Sequence, residues 1–212
     1  MSDLQKRRER EKQQRQDDIL DAAEKMFREK GYDRTSMDEI ARTASLSRAL
    51  LYVYFKDKAA IQRGIMLRAA ERLRERFRAA LDSEETGLQK IMAIGESYYR
   101  FWEEEPDYFE ALTKATTAMQ DADDQEAKVM IGCELESMQL MVEALDAGLR
   151  DGSISTEQVT DPFQTALYLR GALHGVIMMC QQEMGEDGPL AKYPSDALIK
   201  HTMEMLVRSI RA

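Results

Sequence analysis

The feature that most constrains the fold is the stretch from Thr35 to Lys58, which reads TSMDEIARTASLSRALLYVYFKDK. Ser36 is followed three residues later by Glu39, a spacing that lets the two residues cap each other's backbone N–H groups at a helix start. Ser47 stands where a second N-cap is needed, after a short polar turn. The stretch therefore predicts two short helices joined by a tight turn, which is the helix-turn-helix motif.

The run from Arg48 to Phe55 could also form a buried strand when it is taken alone, because it is short, apolar and aromatic. Three observations favour a helix. The rest of the chain shows no partner strand, Ser47 precedes the run as an N-cap, and two helical turns place Leu51 and Phe55 on one inward face. We therefore predict a second helix that leaves Arg48, Ala49 and Tyr54 on its outer side.

The second helix of such a motif enters the major groove of DNA with its N-terminal end first. Arg48 lies at that end, where it can reach a guanine edge or a phosphate. Hydroxyl groups and helix N-terminal amides can bind phosphates, and the tyrosines and Lys58 can contact the DNA backbone. Each residue also has a plain structural alternative, since the tyrosines can complete the core and Lys58 can be a solvated cap. The predicted DNA-binding residues are Thr35, Ser36, Ser47, Arg48, Ala49, Leu50, Tyr52, Tyr54 and Lys58.

Composition and charge support an all-α chain with two different parts. Helix-forming residues dominate, and only 4 prolines and 11 glycines are present. Residues 1–80 hold 20 Lys and Arg against 14 Asp and Glu, a net charge of +6, whereas residues 81–212 hold 10 against 25, a net charge of −15. This asymmetry favours an anion-binding first part, although charge clustering on solvated helices is an alternative.

Several classes of protein are disfavoured. Cys133 and Cys180 are too few for a disulfide framework or a cysteine metal site, so a reduced, cytoplasmic protein is expected. Residues 1–18 are too polar for a signal peptide, and the apolar runs are too short to span a bilayer. With only His174 and His201 and no nucleophile–base pattern, a helical enzyme is a remote alternative. We expect no cofactor, no metal and no membrane partner.

The segment from Ser2 to Gln16 is charged and rich in glutamine, with 6 Lys and Arg against 3 Asp and Glu. Because it has no apolar stripe, we expect a disordered tail in the free protein. The alternative is a basic arm that reaches DNA phosphates or a minor groove. The first helix is expected to start at Asp17 or Asp18 and to end at Gly31, a C′ glycine.

This part of the chain contains a pattern of residues with characteristic spacing: Ile19-Leu20-Asp21-Ala22-Ala23, Phe27, Lys30-Gly31-Tyr32, Thr35-Ser36, Ile40-Ala41, Ala44, Leu46-Ser47, Leu51-Tyr52, Tyr54-Phe55 and Lys58. With these residues, the segment from Ile19 to Ile61 resembles the DNA-binding domain of the TetR (tetracycline repressor) family of bacterial transcription regulators. The family often has glycine at the position of Ala49, a small hydroxyl residue at Leu50 and glutamate at Ala59. The base preference of this chain therefore stays open.

The resemblance implies an all-α protein of about nine helices, with an N-terminal three-helix DNA-binding domain and a larger C-terminal regulatory and dimerisation domain. The polar break from Asp82 to Gly87 marks the predicted border between the two. We predict a basic N-terminal arm at 1–16, a helix-turn-helix domain at 17–60, a linking helix at 61–81 and a ligand-binding and dimerisation domain at 82–212.

The second part of the chain is rich in methionine and aromatic residues, which either fill a core or line a malleable cavity for a small effector. Acidic neighbours such as Glu96, Glu103 and Glu134 could favour a cationic ligand, although they are more often a solvated face. The predicted effector-pocket residues are Tyr98, Trp102, Phe109, Met138, Met141, His174 and Met178.

The last two helices resemble the pair that forms a four-helix dimer interface in the family. Glycines spaced four apart let another helix approach closely, and a two-fold dimer lets two short recognition helices read one site. Polar loops are expected at Asp121–Gln125 and Met184–Pro194. The predicted interface residues are Phe163, Leu167, Gly171, Gly175, Met179, Ile199, Met203, Leu206 and Ile210.

The function expected from these features is transcription regulation. We expect a homodimeric, ligand-responsive repressor that binds a palindromic operator in double-stranded DNA, associated with the nucleoid, and is released by a small apolar or cationic effector. A regulator that responds to thiol oxidation through Cys133 and Cys180, or to no ligand, is the alternative.

Overall fold

This computed structural model describes residues 3–113, 119, 122, 124–181 and 192–212. Within these residues the chain forms nine α-helices and no strand, which confirms the all-α prediction. The helices are α1 (Asp3–Lys30), α2 (Met37–Thr43), α3 (Arg48–Tyr54), α4 (Lys58–Ser83), α5 (Gly87–Glu104), α6 (Pro106–Thr113), α7 (Asp124–Asp151), α8 (Pro162–Gln181) and α9 (Ser195–Ile210).

The chain forms two compact units, and each unit is built from two stretches of sequence. The first comprises residues 1–70 and 107–130, and the second comprises residues 71–106 and 131–212. The predicted segments, in contrast, are each a single continuous stretch of sequence. The two compact units therefore do not test the predicted borders at 16, 60 and 81, which stay a prediction.

The core of the first unit is formed by the apolar faces of α1, α2, α3 and the start of α4. Its side chains recur at helical spacing, so each helix buries one stripe. The buried residues of this core are Ile19, Leu20, Ala22, Ala23, Ile40, Ala41, Leu51, Phe55, Ile61, Ile65, Met66 and Ala111.

Helix α6 belongs to this first unit through Ala111 in the core and through polar contacts with α1. The Tyr108 hydroxyl donates to Glu24 Oε1 at 3.2 Å, and Arg28 Nε donates to Asp107 Oδ2 at 2.5 Å. Phe109, on the same helix, is fully buried.

The N-terminal segment departs from its prediction. Helix α1 begins at Asp3, so the expectation of a disordered tail is wrong for residues 3–16. Its residues are good helix formers, and side-chain pairs four apart tie the segment to the packed part of α1. Arg7 Nε donates to Glu11 at 2.8 Å and Gln14 Nε2 donates to Asp18 at 3.0 Å. An apolar stripe is needed to pack a helix, but its absence does not prevent a helix from continuing.

The second unit packs α5 against α8 and α9, and it brings the start of α5 onto α7 at two glycines. A Cβ atom on Gly87 would lie 1.9 Å from the backbone nitrogen of Gly148. Thr86 caps α5 in a capping box with Gln89, and the Gly87 N–H donates to Asp151 Oδ2 at 2.8 Å. The sequence contains the Thr86–Gln89 spacing, but the prediction did not identify it.

Two predicted loops lie partly outside the described residues. Residues 121 and 123 of the loop Asp121–Gln125 are not described, but α7 starts at Asp124, so Asp124 and Gln125 are helical rather than part of a loop. The predicted loop Met184–Pro194 is described only from residue 192 onward. Across the described part of the chain, no helix is long and apolar enough to cross a membrane. The same residues contain no group of three or more His, Cys, Asp or Glu that could hold a metal ion.

Candidate nucleic-acid interface

The predicted capping signals form the helix-turn-helix. Ser36 Oγ accepts from the Glu39 N–H at 3.3 Å, and Glu39 Oε2 accepts from the Ser36 N–H at 3.0 Å, so the capping box is confirmed. Ser47 Oγ accepts from the Leu50 N–H at 3.2 Å and caps α3. Between them Ser45 takes a left-handed conformation with φ of 57°, which closes the turn between α2 and α3.

Helix α3 is held by its inward side. Leu51 is completely buried and Phe55 is buried one turn later, as the helical interpretation requires. The strand alternative for this run is therefore excluded. The exposed side chains of α3 are those of Arg48, Ala49, Leu50, Tyr52 and Val53, and Tyr54 is half-buried.

Arg48 is oriented before any DNA is bound. Its Nε lies 3.2 Å from Asp38 Oδ1, and its guanidinium lies over the Tyr52 ring at 5.6 Å from the ring centre. A guanidinium held on two sides loses less side-chain entropy when it binds a guanine edge or a phosphate. A phosphate or base that Arg48 contacted would have to replace Asp38 as the partner of its guanidinium.

Two of the predicted DNA-binding residues use their donors inside the unit. Thr35 is 2% exposed, and its hydroxyl donates to the Gly31 carbonyl at 2.9 Å. Lys58 Nζ donates to the carbonyls of Tyr32 at 2.6 Å and of Thr35 at 2.8 Å, and it lies 4.3 Å from the centre of the Tyr32 ring. These side chains fix the connection between α1 and α2 to the start of α4. Their direct contact with DNA stays a prediction.

An ionic cluster that the sequence prediction missed joins α1 to α4. Arg68 NH1 lies 2.6 Å from Asp21 Oδ1 and 3.0 Å from Glu24 Oε1, and its NH2 lies 3.0 Å from Asp17 Oδ1. The three acidic residues lie on one face of α1 at spacings of three and four residues, which is the available sequence signal. The cluster anchors the helix on which the helix-turn-helix packs.

Glu39 makes the stabilising effect of the capping box depend on pH. A hydrogen bond from Lys30, together with those from the Ser36 N–H and hydroxyl, lowers the pKa of Glu39 from 4.5 to about 2. A carboxylate whose pKa is depressed by folding stabilises the fold above its unfolded pKa, and that stability is lost as the pH falls through the folded pKa. The capping box therefore contributes fully above about pH 4.5 and is lost as the pH falls toward 2.

The test is Glu39→Gln, which keeps an acceptor for the Ser36 N–H but carries no charge. We expect the melting temperature of the variant to lie below that of the wild type at pH 7. The difference should shrink toward zero between pH 4.5 and pH 2 when thermal unfolding is followed by circular dichroism. Glu29→Gln, on the exposed side of α1, is the control. A difference independent of pH would contradict the assignment.

The predicted effector-pocket residues do not all meet. The second unit contains a cavity of about 590 Å³, lined mainly by apolar side chains of α5, α8 and α9 together with Phe77 and Met141. Tyr98 and Met141 are the two predicted residues that line it, whereas Trp102, Phe109, Met138, His174 and Met178 are not among its lining residues. Phe109 lies in the first unit, on α6.

His174 contacts Tyr98, a residue that lines the cavity. Its Nδ1 is 2.7 Å from the Tyr98 hydroxyl, and burial lowers the pKa of His174. His174 and Tyr98 therefore form a hydrogen-bonded pair between α8 and α5, and both side chains are half-buried. Burial also raises the pKa of the Tyr98 hydroxyl.

The predicted dimer residues fall into two groups. On α8 they form an exposed stripe of one residue per turn, which consists of Phe163, Leu167, Gly171, Gly175 and Met179. On α9 the predicted residues turn inward, because that helix packs its apolar face on α5 and α8 of the same chain. Ile199, Leu206 and Ile210 are buried there, and Met203 and Leu206 line the cavity. The outward residues of α9 include Ala197, His201 and Met205.

Comparison with known proteins identifies the helix-turn-helix. Residues 19–63 match the family model described as bacterial regulatory proteins, tetR family. This segment of the chain resembles the DNA-binding domain of the tetR family. The match confirms the predicted resemblance for the α2–turn–α3 region and the helices on either side of it.

The sequence relatives share only part of their length with this chain. The transcriptional activator FasR of Mycolicibacterium smegmatis is 31% identical over 90 residues, which cover 42% of this chain and 41% of FasR. The negative regulator of the biofilm operon, IcaR of Staphylococcus aureus, is 44% identical over 45 residues, which cover 21% of this chain and 24% of IcaR. The chain thus matches less than half of each relative.

The fold similarity extends over nearly the whole chain. A TetR/AcrR-family transcriptional regulator from Thermobifida fusca superposes with a TM-score of 0.70 at 22% identity, covering 94% of this chain and 100% of the other. At this identity the comparison shows the fold alone.

Proposed function

We propose that this chain is a TetR-family transcription regulator that binds a palindromic operator in double-stranded DNA as a homodimer. The observation that carries the proposal is the capped α2–turn–α3 geometry within the matched segment 19–63. Such a geometry exposes the first turn of α3 for insertion into a major groove. Arg48 lies in that turn, already oriented by Asp38 and Tyr52.

The homodimer is supported by the exposed apolar stripe of α8. Apolar residues and glycines that follow one face of a helix are unusual on the surface of a monomer. A Cβ atom on Gly171 or Gly175 would meet no atom of the same chain within 4 Å, which leaves room for a partner helix. Leu167 is 49% exposed. We propose that the α8 stripe, with Ala197, His201 and Met205 of α9, contacts a second copy.

The effector is proposed to occupy the 590 Å³ cavity of the second unit. Its size is within the range of small-molecule sites, and its lining is mainly apolar. The acidic residues first considered for a cationic ligand have partners nearby, since Glu96 pairs with Arg100 and Glu134 pairs with Arg170. These pairs favour the apolar over the cationic effector. If a ligand weakens DNA binding by a given factor, it binds the DNA-free protein more tightly than the DNA-bound protein by that same factor.

For the direction of control we propose repression, because occupation of an operator is enough to block a polymerase. Of the two relatives, FasR is named an activator and IcaR a negative regulator. A reporter gene under the operator, measured with and without the regulator, decides between them. We place the regulator with the nucleoid in the bacterial cytoplasm.

Control by thiol oxidation receives less support. Reactive cysteines need a lowered pKa so that the thiolate is present. Burial and the nearby Glu136 carboxylate instead raise the pKa of Cys133, and both Cys133 and Cys180 are half-buried. We therefore prefer the cavity as the regulatory site.

The experiment that tests the proposal is selection of bound sequences from random duplex DNA, followed by affinity measurement with the selected site. We expect a palindrome, and we expect Arg48→Ala to weaken binding by roughly tenfold to a hundredfold per half-site, as for the loss of one bidentate base contact. Arg150→Ala, an exposed arginine at the end of α7, is the control and should bind as the wild type. Failure to enrich any sequence would refute the proposal.

A further inference from the structure

The outward side of α3 carries an apolar patch made of Ala49, Leu50 and Val53. Leu50 is 39% exposed and Val53 is 76% exposed. Ala49 and Val53 lie four residues apart on one face of the helix, and Leu50 adjoins them. Helix α3 contains no acidic residue, and Arg48 is its single cation.

This patch is not explained by the fold. The core of the first unit is completed by partly buried residues that include Leu46 and Tyr54, and none of the three patch residues is among them. The side chain on which the packing of α3 depends is Leu51, on the opposite side. If α3 enters the major groove of DNA, these exposed apolar side chains would pack most favourably against an apolar group in that groove.

The major groove offers one such partner in each A·T pair. Thymine presents its C5 methyl group there, whereas cytosine presents an amino donor and no methyl group. An aliphatic side chain can therefore identify thymine without a hydrogen bond. The residues nearest the N-terminal end of the second helix reach base edges first, and Ala49 and Leu50 both lie in the first turn of α3.

We propose that Leu50 is a specificity-determining residue that reads a thymine methyl group in each half-site, with Ala49 and Val53 completing the apolar surface. The inference rests on the proposed DNA binding. It assigns to this chain a half-site in which a thymine faces the first turn of α3.

Uracil provides the test, since it differs from thymine only by the missing methyl group. In the selected palindrome, each thymine is replaced in turn by uracil, symmetrically in both half-sites, and the Kd of the wild-type protein is measured. Loss of one methyl contact weakens binding by about fourfold, so the symmetric replacement should weaken it by about fifteenfold at one position. Replacement of any other thymine by uracil should leave the Kd unchanged.

Leu50→Ser then identifies the residue that reads the methyl group. Because Leu50 is partly exposed and outside the core, the variant should fold and should bind thymine and uracil operators equally. Leu135→Ser, an exposed leucine on α7, should keep the wild-type preference. A wild-type protein that binds its operator but tolerates uracil everywhere would overturn the inference and leave operator binding intact. A preference that survives Leu50→Ser would overturn the role of Leu50, whereas absence of any operator refutes the proposed function itself.

Discussion

Replacement of Leu167 by glutamate is expected to dissociate the proposed homodimer into monomers. It should weaken binding to the proposed operator by about 10²–10⁴-fold, the range by which linking two binding sites raises affinity. Leu167 lies in the middle part of the exposed α8 stripe. In a two-fold dimer the same residue approaches the interface from both copies. Two carboxylates would then lose water in an apolar contact without a partner charge, which is strongly unfavourable.

The substitution spares the fold of the single chain, because half of the Leu167 surface is already exposed. Sedimentation equilibrium gives the oligomeric state, and fluorescence anisotropy with the selected operator gives the affinity. Leu135→Glu is the matched control, since Leu135 is 52% exposed on α7 and lies outside the stripe. A Leu167→Glu protein that stays dimeric and binds as the wild type would place the interface elsewhere.

Replacement of Gly87 by alanine is expected to destabilise the protein by about 3 kcal/mol, at the upper end of the usual cost of overpacking. The added Cβ would lie 1.9 Å from Gly148 N, 2.3 Å from Gly148 Cα and 2.5 Å from the Ala144 carbonyl oxygen. All three are backbone atoms, so no side-chain rotation can relieve the clash. The N-terminal turn of α5 would have to separate from α7, which also breaks the hydrogen bond from the Gly87 N–H to Asp151.

Thermal unfolding measures this effect, and the melting temperature should fall by roughly 6–12 °C for a chain of this size. The control is Gly132→Ala in α7, because a Cβ on Gly132 meets no atom within 4 Å. Alanine is a better helix former than glycine, so the control should gain about 0.5–1 kcal/mol. Equal stability of Gly87→Ala and the wild type would contradict the close backbone contact between α5 and α7.

The helix-turn-helix could be predicted because its signals are local. The helix caps formed by Ser36, Glu39 and Ser47 bond to groups three residues away, and the burial of Leu51 follows from helical spacing. The prediction for the start of α1 is wrong, because the lack of an apolar stripe does not mean the lack of a helix. An apolar stripe indicates where a helix packs, and residues 3–15 are exposed. Helix propensity and side-chain pairs four apart nevertheless extend α1 to Asp3.

The candidate sites of the second unit were less predictable, since they depend on how helices pack. Apolar spacing identified the faces of α8 and α9, but it could not tell which face packs within the chain and which faces outward. Met203 and Leu206 thus line the cavity, while Met205 faces outward. Likewise Lys58 bonds to carbonyls more than twenty residues away in sequence, a contact that no local pattern indicates.

Operator recognition by a dimer is tested most directly when the selected palindrome is compared with two other duplexes across a series of salt concentrations. One duplex has its half-sites moved apart by about five base pairs, half a helical turn, and the other has a random sequence. We predict that one dimer binds the palindrome at least about 10³-fold more tightly than the random duplex at physiological salt, and that the changed spacing removes most of this preference. Equal affinity for all three duplexes at every salt concentration would show purely electrostatic binding and would contradict operator recognition by a dimer.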